Sequence, residues 1–194
     1  APNASPNGLP NEPKWIPSGK TPYKLQAELD RHIKELEDAD VVEPCTEHSS
    51  WNSRVFLVPK PNRSGQYRFV ADLRGLNSQC LPDSYELPNV NHVADCIGGN
   101  KYYSTLDLSQ SFHQISYDET SKPLTAFSNN GMRYWFKRMV MGQCSSSSQF
   151  ARMMNKLLTN IPLRNLIYFL DDLLLASNDI KTHLDRLEVV LQRF

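Results

Sequence analysis

Apolar positions along the chain fall into short runs whose spacing switches between helical and alternating. Leu25, Leu29, Ile33 and Leu36 recur at helical spacing, with Thr21 placed to cap and Pro22 suited to a first turn. A helix is therefore expected from Thr21 to near Asp40, before Pro44. Val55 to Val58 and Tyr67 to Ala71 are strand-like runs separated by the turn formers Pro59, Pro61, Asn62, Ser64 and Gly65, which predicts a hairpin. Pro88 to Ile97 reads as a short helix closed by Gly98 and Gly99, and Tyr102 to Leu106 as a strand running into Asp107. Leu124 to Ser128 and Met132 to Phe136 form a second candidate hairpin, joined through Asn129, Asn130 and Gly131. Ser147 to Leu158 reads as a helix with Phe150, Met154, Leu157 and Leu158 on its inner face. A last helix starts about Asn178 and carries Leu184, Leu187, Val190 and Leu191 as a stripe. Between these helices, Asn165 to Leu170 and Leu173 to Ala176 are apolar runs interrupted only by Asp171 and Asp172. Strands and helices mix without the alternation of a doubly wound sheet, so the expected fold class is α+β with a largely antiparallel sheet. No internal repeat is visible.

The chain has 194 residues, enough for one full-sized domain or two subdomains sharing a core. Residues 1–22 hold six of the 13 prolines together with Asn, Ser and Gly, a composition that buries too little surface to offset its ordering entropy. Residues 1–19 are accordingly expected to be a flexible Pro/Asn-rich leader. No apolar run approaches the roughly 18 residues of a membrane-spanning helix, so no membrane partner is expected. Neither a secretory nor a transit pattern is visible at the N-terminus, which points to an intracellular location. Cys45, Cys80, Cys96 and Cys144 fit neither paired zinc spacing nor a dense disulfide framework, and they read as reduced thiols.

The adjacent aspartates Asp171 and Asp172 are the most informative feature. By themselves they read equally well as a solvated turn, because Asp is a favoured turn residue, or as a site where a cation or water offsets paired carboxylates. Asp107, at the end of another apolar strand in an otherwise uncharged stretch, shifts the balance. If the two strand ends are neighbours in one sheet, Asp107 and Asp171 converge on one edge. Two hard divalent ions about 3.5 to 4 Å apart, held by shared carboxylates, clamp the attacking and leaving oxygens of an in-line phosphoryl transfer.

Lys+Arg and Asp+Glu both total 21, yet the zero net charge conceals two basic segments. Residues 48–80 carry Arg54, Lys60, Arg63, Arg68 and Arg74 against Asp72 alone, and residues 131–164 carry six basic residues and no acidic one. Basic segments flanking a candidate metal site favour a nucleic-acid partner. Lys60 and Arg68 sit on either side of the predicted hairpin tip, within reach of a triphosphate, or else simply keep the hairpin soluble.

Phe169-Leu170-Asp171-Asp172 resembles the Tyr/Phe-x-Asp-Asp motif of reverse transcriptases. Leu106-Asp107-Leu108-Ser109-Gln110-Ser111-Phe112-His113-Gln114-Ile115 resembles the Leu-Asp-Leu-x-x-x-Tyr-His-Gln-Ile stretch of gypsy-class LTR retrotransposons and related retroviruses. Tyr67 to Asn77 is similar to that family's Leu-Arg-Phe-x-x-Asp-Tyr-Arg-x-Leu-Asn block, and Val42-x-Pro44, Ser50-x-x-Ser53 and Val58-Pro59-Lys60 fall in order at matching places. The resemblance covers roughly residues 15–194 in several separate blocks.

The resemblance implies a right-hand polymerase: fingers at 20–88, palm at 89–194 with remaining fingers elements inserted at about 118–138, and an antiparallel palm sheet with packed helices. Thumb, connection and RNase H regions are absent from this chain and are expected downstream in a parent polyprotein. Asp107, Asp171 and Asp172 would be the catalytic metal ligands of two Mg²⁺ ions (Mn²⁺ is a possible substitute), with Leu108 beside Asp107 as a further metal contact. Lys60 and Arg68 would contact the triphosphate, and the backbone amides of Gln110 and Ser111 would cradle its phosphates. Phe112 falls where the family places an aromatic gate below the sugar, which implies dNTP substrates; the same ring also reads as an ordinary core residue.

Three departures stand out. Phe169 replaces the usual Tyr, and the chain stops at Phe194, just after the palm. Met139 to Phe150 stands where the family typically shows Met-Pro-Phe-Gly-Leu-x-Asn-Ala-Pro-x-x-Phe, and Ala151 replaces a frequent Gln; Gly142 and Phe150 survive, while Met141 takes the place of the pocket aromatic. The implied activity is that of an RNA-directed DNA polymerase, a nucleotidyltransferase adding dNTPs to a primer 3′-OH on an RNA or DNA template, in the cytoplasm or virus-like particles. Two rivals stand beside it: a non-catalytic nucleic-acid-binding or scaffold remnant, and an RNA-directed RNA polymerase.

Overall fold

The computed structural model describes residues 13–19, 21–61, 63, 65–81, 83, 85, 97–158 and 166–194. Most of the predicted leader, the predicted helix at 88–97 apart from Ile97, and Asn165 lie outside the described residues. The chain divides into two compact units, one of residues 1–82 and 112–146, the other of residues 83–111 and 147–194.

In the first unit, α1 (Tyr23–Asp38) buries Leu29 and Ile33. Pro22 is the residue before the helix and no side chain caps it, so the helix starts at Tyr23 and Thr21 has no capping role. On the exposed face Arg31 pairs with Glu28 at 2.5 Å and Lys34 with Asp38 at 2.9 Å, the i,i+3 and i,i+4 neighbours of a helix surface. Asp40 at φ 58° reverses the chain into β1 (Val42–Pro44). β2 (Arg54–Pro59) and β3 (Tyr67–Asp72) form the predicted hairpin, followed by one turn of helix, α2 (Arg74–Asn77).

The second predicted hairpin forms with a shifted start. β5 (Phe127–Asn129) and β6 (Met132–Phe136) pair antiparallel, but Leu124 and Thr125 lie in a 3-10 turn, Lys122–Thr125. Pro123 near its start favours that turn, and Thr125 Oγ1 donates to Lys122 O at 2.7 Å. β1 joins on the other side of β6, giving the order β1-β6-β5. Phe127 and Phe136 are buried with Leu29, Ile33, Val41, Val42, Val55, Leu73 and Val140. Phe69 meets both rings edge-on at 5.9 and 6.4 Å, a geometry worth about 0.5–1.5 kcal/mol per pair beyond burial.

The second unit holds the sheet β4-β8-β7, built from β4 (Tyr102–Asp107), β7 (Leu166–Phe169) and β8 (Asp172–Ser177), all antiparallel. Leu166, Tyr168, Leu173 and Leu175 are buried on one face by the period of 2. The helices are α3 (Ser146–Leu157), starting at the boundary between the units, and α4 (Ile180–Leu191). Phe150, Ala151, Met154 and Leu158 are buried, so Ala151 takes the inner position expected of Leu157, which is only half-buried. Asp179 caps α4, accepting from Thr182 N at 2.9 Å, and Ser104 Oγ of β4 meets the buried His183 Nε2 of α4 at 2.9 Å.

Candidate active site

β4 and β8 are neighbouring strands of one sheet, and each carries an aspartate at the same end. The register sets Asp107 opposite Asp172, and Asp172 opposite Phe169 on β7. The β7–β8 connection is only Leu170 and Asp171, with Leu170 at φ 51°. Leu108 N donates to Asp171 O at 2.9 Å, which ties the end of β4 to that turn. The three predicted acidic positions thus gather at one end of one sheet. Asp107, Asp172 and Phe169 share the face opposite the buried residues, because residues paired across antiparallel strands point the same way.

Asp107 and Asp172 are exposed and Asp171 is half-buried. Water reaches the carboxylates, so burial of charge does not by itself require a cation here, and the solvated-turn alternative accounts for the exposure equally well. Among the described residues no group of three or more His, Cys, Asp and Glu side chains is arranged to hold a metal ion unaided. The donor set is one of hard oxygens, accessible to solvent and sparse. That fits Mg²⁺, which keeps several waters and takes one or two carboxylates plus substrate phosphates.

Beyond β4 the chain turns through Ser109 and through Gln110 at φ 51° into a 3-10 turn, Ser111–Gln114. Ser111 is buried, and its Oγ has no hydrogen-bond partner among the described residues. Leu108, Gln110 and Ser111 belong to the same unit as the three aspartates.

The other predicted nucleotide contacts belong to the first unit. Lys60 lies just past β2 and Arg68 on β3, opposite Val58. Lys60 N donates to Gln66 O at 2.9 Å, so Lys60 and Arg68 are diagonal neighbours on one face of the hairpin. Neither is ion-paired among the described residues, in contrast to Arg74, which grips Asp72 at 2.6 and 2.8 Å. Phe112 is buried, in keeping with the core-ring alternative. Met141 is 65% exposed and Gly142 adopts φ 95° with open space beside its Cα.

Sequence reasoning gave no role to two residues that hold the Met141–Gly142 loop. Asn77 Nδ2 donates to Gly142 O at 2.7 Å and Asn77 Oδ1 accepts from Cys144 N at 2.9 Å. Tyr117 Oη donates to Gln143 and accepts from Val140 N at 3.3 Å; burial pushes this phenol up to about 12. The Leu76-Asn77 end of the matched block was the only available signal for Asn77.

A family model described as reverse transcriptase (RNA-dependent DNA polymerase) matches residues 58–194. The chain belongs to this family. Among reverse transcriptase relatives it is 34% identical over 183 residues to the retrovirus-related Pol polyprotein from transposon opus of Drosophila melanogaster, covering 93% of this chain and 18% of that protein. It is 28% identical over 190 residues to the corresponding polyprotein from transposon gypsy of the same organism, covering 94% and 18%. The chain therefore spans about a fifth of the length of these polyproteins. The structure of the prototype foamy virus protease-reverse transcriptase matches with a TM-score of 0.82 at 29% identity, over 93% of this chain and 24% of that one. The foamy viral enzyme bound to an RNA/DNA hybrid matches with a TM-score of 0.82 at 25% identity, covering the same shares. The fold is the α+β fingers-and-palm fold of the reverse transcriptases, with antiparallel sheets and packed helices.

Proposed function

We propose that the chain is the fingers and palm portion of an RNA-directed DNA polymerase from a retroelement polyprotein. It would add dNTPs to a primer 3′-OH on an RNA or DNA template by a two-metal mechanism. The observation that carries this reading is the register of Asp107 with Asp172, together with the Leu108–Asp171 backbone bond that ties the end of β4 to the turn carrying Asp171. On this reading residues 20–88 belong to the fingers and 89–194 to the palm, with the remaining fingers elements inserted at about 118–138; the two compact units of the chain have boundaries near these. Foamy viral reverse transcriptases bound to RNA/DNA hybrid and to double-stranded DNA support a primer-template duplex as partner.

Reverse transcriptases generally use divalent metals. Asp107 and Asp171 would hold the two ions, with Asp172 and Leu108 beside them. When bound, such ions lower the pKa of the attacking hydroxyl and neutralise the leaving pyrophosphate. The chain's own contribution is positioning and charge. The paired strand ends hold the carboxylates in fixed register, Lys60 and Arg68 meet the triphosphate, the Gln110 and Ser111 amides face its phosphates, and Phe112, Met141 and Gly142 shape the nucleotide pocket.

The test is primer extension on an RNA template with Mg²⁺, comparing the chain with Asp107→Asn and Asp171→Asn. Loss of at least about a hundredfold is expected, since losing metal-held charge removes several kcal/mol of transition-state stabilisation. Undiminished synthesis in either variant rejects the assigned role. Nucleic-acid binding with steep salt dependence and no metal-dependent addition would favour a non-catalytic module instead. Ribonucleotide incorporation at deoxynucleotide rates would remove the role given to Phe112.

A further inference from the structure

In the first unit, the turn after α2 and the loop that follows Val140 are distant in sequence but tied together. Asn77 bonds to both Gly142 O and Cys144 N, at 2.7 and 2.9 Å, and so clamps the loop from one side. Three residues beyond Asn77 lies Cys80, half-buried. Cys144 is exposed, and its Sγ donates to Leu81 O, next to Cys80, at 3.8 Å. The Cys144 sulfur thus lies against the residue that follows Cys80; burial, and then the neighbouring Cys144 thiol, push the Cys80 thiol up to about 11. Neither sulfur is in a disulfide.

We propose that Cys80 and Cys144 form a redox-active dithiol, a modification site at which a hydroperoxide closes a disulfide between the turn after α2 and the Met141–Cys144 loop. The exposed Cys144 thiolate attacks the peroxide oxygen, the O–O bond breaks, and sulfenic acid and one water result. The Cys80 sulfur then attacks the Cys144 sulfur; the S–S bond forms, the S–O bond breaks and a second water leaves. The two sulfurs together lose two electrons to the peroxide, and both thiol protons end in the two waters. A high thiol pKa at Cys80 leaves little thiolate at neutral pH, so the second step accelerates as pH rises toward 9. Closure fastens the loop carrying Met141 and Gly142 to the segment that Asn77 already holds. The chemistry of the pair is independent of the polymerase reading.

The experiment exposes the folded chain to hydrogen peroxide, blocks remaining thiols, and maps peptides without reduction. Trypsin combined with a glutamyl endoprotease separates Cys80 from Cys96, because Glu86 lies between them. The expected product is a Cys80–Cys144 peptide that dithiothreitol reverses, in at least about tenfold excess over any cross-link to Cys45, since neighbouring thiols react at a raised effective concentration. In Cys80→Ser the Cys144 sulfenic acid has no resolving thiol and should be trapped by dimedone. The proposal is overturned if Cys144 of the unaltered chain proceeds to sulfinic acid without the cross-link. It is equally overturned if the cross-link forms at the same yield in urea as in the folded chain.

Discussion

The β5–β6 and β7–β8 hairpins both turn on two residues, and they make the turn with different chemistry. The first uses Asn130 and Gly131 at φ 48° and 77°, residue types that enter the left-handed region at little cost. Its neighbouring amides are spent on structure: Asn129 Nδ2 donates to Asp30 of α1 at 2.7 Å. The second uses Leu170 and Asp171, and puts a branched side chain at φ 51°, which costs about 1–2 kcal/mol. Its carboxylates are left accessible. Strain of this kind persists where the surrounding structure over-determines it and clusters at functional sites. The difference teaches that the tight β7–β8 turn is held by the sheet below it and is not favoured by its own sequence.

Removing that support should have the largest effect on stability. Leu173 follows the turn and is 1% exposed. Leu173→Ala is expected to cost about 2–5 kcal/mol, read as a drop in urea midpoint. A loss below about 1 kcal/mol would mean that the sheet does not hold the turn through this side chain. Next in size is Gly131→Ala, where φ 77° makes any Cβ unfavourable although no atom stands in its way; a loss of about 1–2 kcal/mol is expected. Leu170→Gly should do the opposite. Relief of the left-handed leucine is opposed by roughly 0.5–1 kcal/mol of added unfolded-state entropy, so the net gain should stay below about 1.5 kcal/mol. A clear destabilisation would show that the Leu170 side chain contributes packing that outweighs its backbone.

The same contrast separates what was legible in the sequence from what was not. Asn130-Gly131 announces its hairpin because the turn chemistry and the strands agree, and α1 and α3 follow from their apolar stripes. α4 forms where expected, but of its stripe Leu184, Leu187, Val190 and Leu191 only Val190 is buried, Leu184 and Leu191 are exposed, and the polar His183 turns inward to meet Ser104. The acidic cluster was legible only through Asp107, which ends a second apolar run; Asp171-Asp172 alone read equally well as a solvated turn. The register that sets Asp107 against Asp172 depends on pairing across distant sequence, as does the three-residue β1, which contains Pro44 and forms only because β6 offers it an edge. Thr125 was misread as strand because its run is apolar enough, whereas Pro123 and the Thr125 hydroxyl bonds favour a 3-10 turn. The meeting of Cys80 with Cys144 leaves no local trace in the sequence.

A smaller effect sharpens the comparison from the side of charge. Asp72 accepts from Arg74, and that contact holds its carboxyl below the ordinary range. A lowered folded-state pKa means that the contribution is complete above the unfolded carboxylate value and is lost as pH falls through the lowered one. Arg74 is 89% exposed, so solvent screening keeps the contribution within about 1 kcal/mol. Urea midpoints compared at pH 7 and pH 3 should fall more for the parent than for Asp72→Asn. Equal slopes would mean the pair contributes nothing.

Arg68 should show the smallest stability effect. Its side chain is exposed and unpaired among the described residues, so Arg68→Ala is expected to leave the urea midpoint within about 0.5 kcal/mol of the parent. A residue so cheap to remove from the fold should nonetheless matter to the substrate if it meets the triphosphate. A charge-assisted hydrogen bond of about 1.5–3 kcal/mol corresponds to a rise of roughly tenfold or more in the KM for dNTP. Steady-state primer extension at varied dNTP separates the two possibilities: an unchanged KM with unchanged stability would reduce Arg68 to a solubilising charge, and the basic hairpin tip would then have no share in the site.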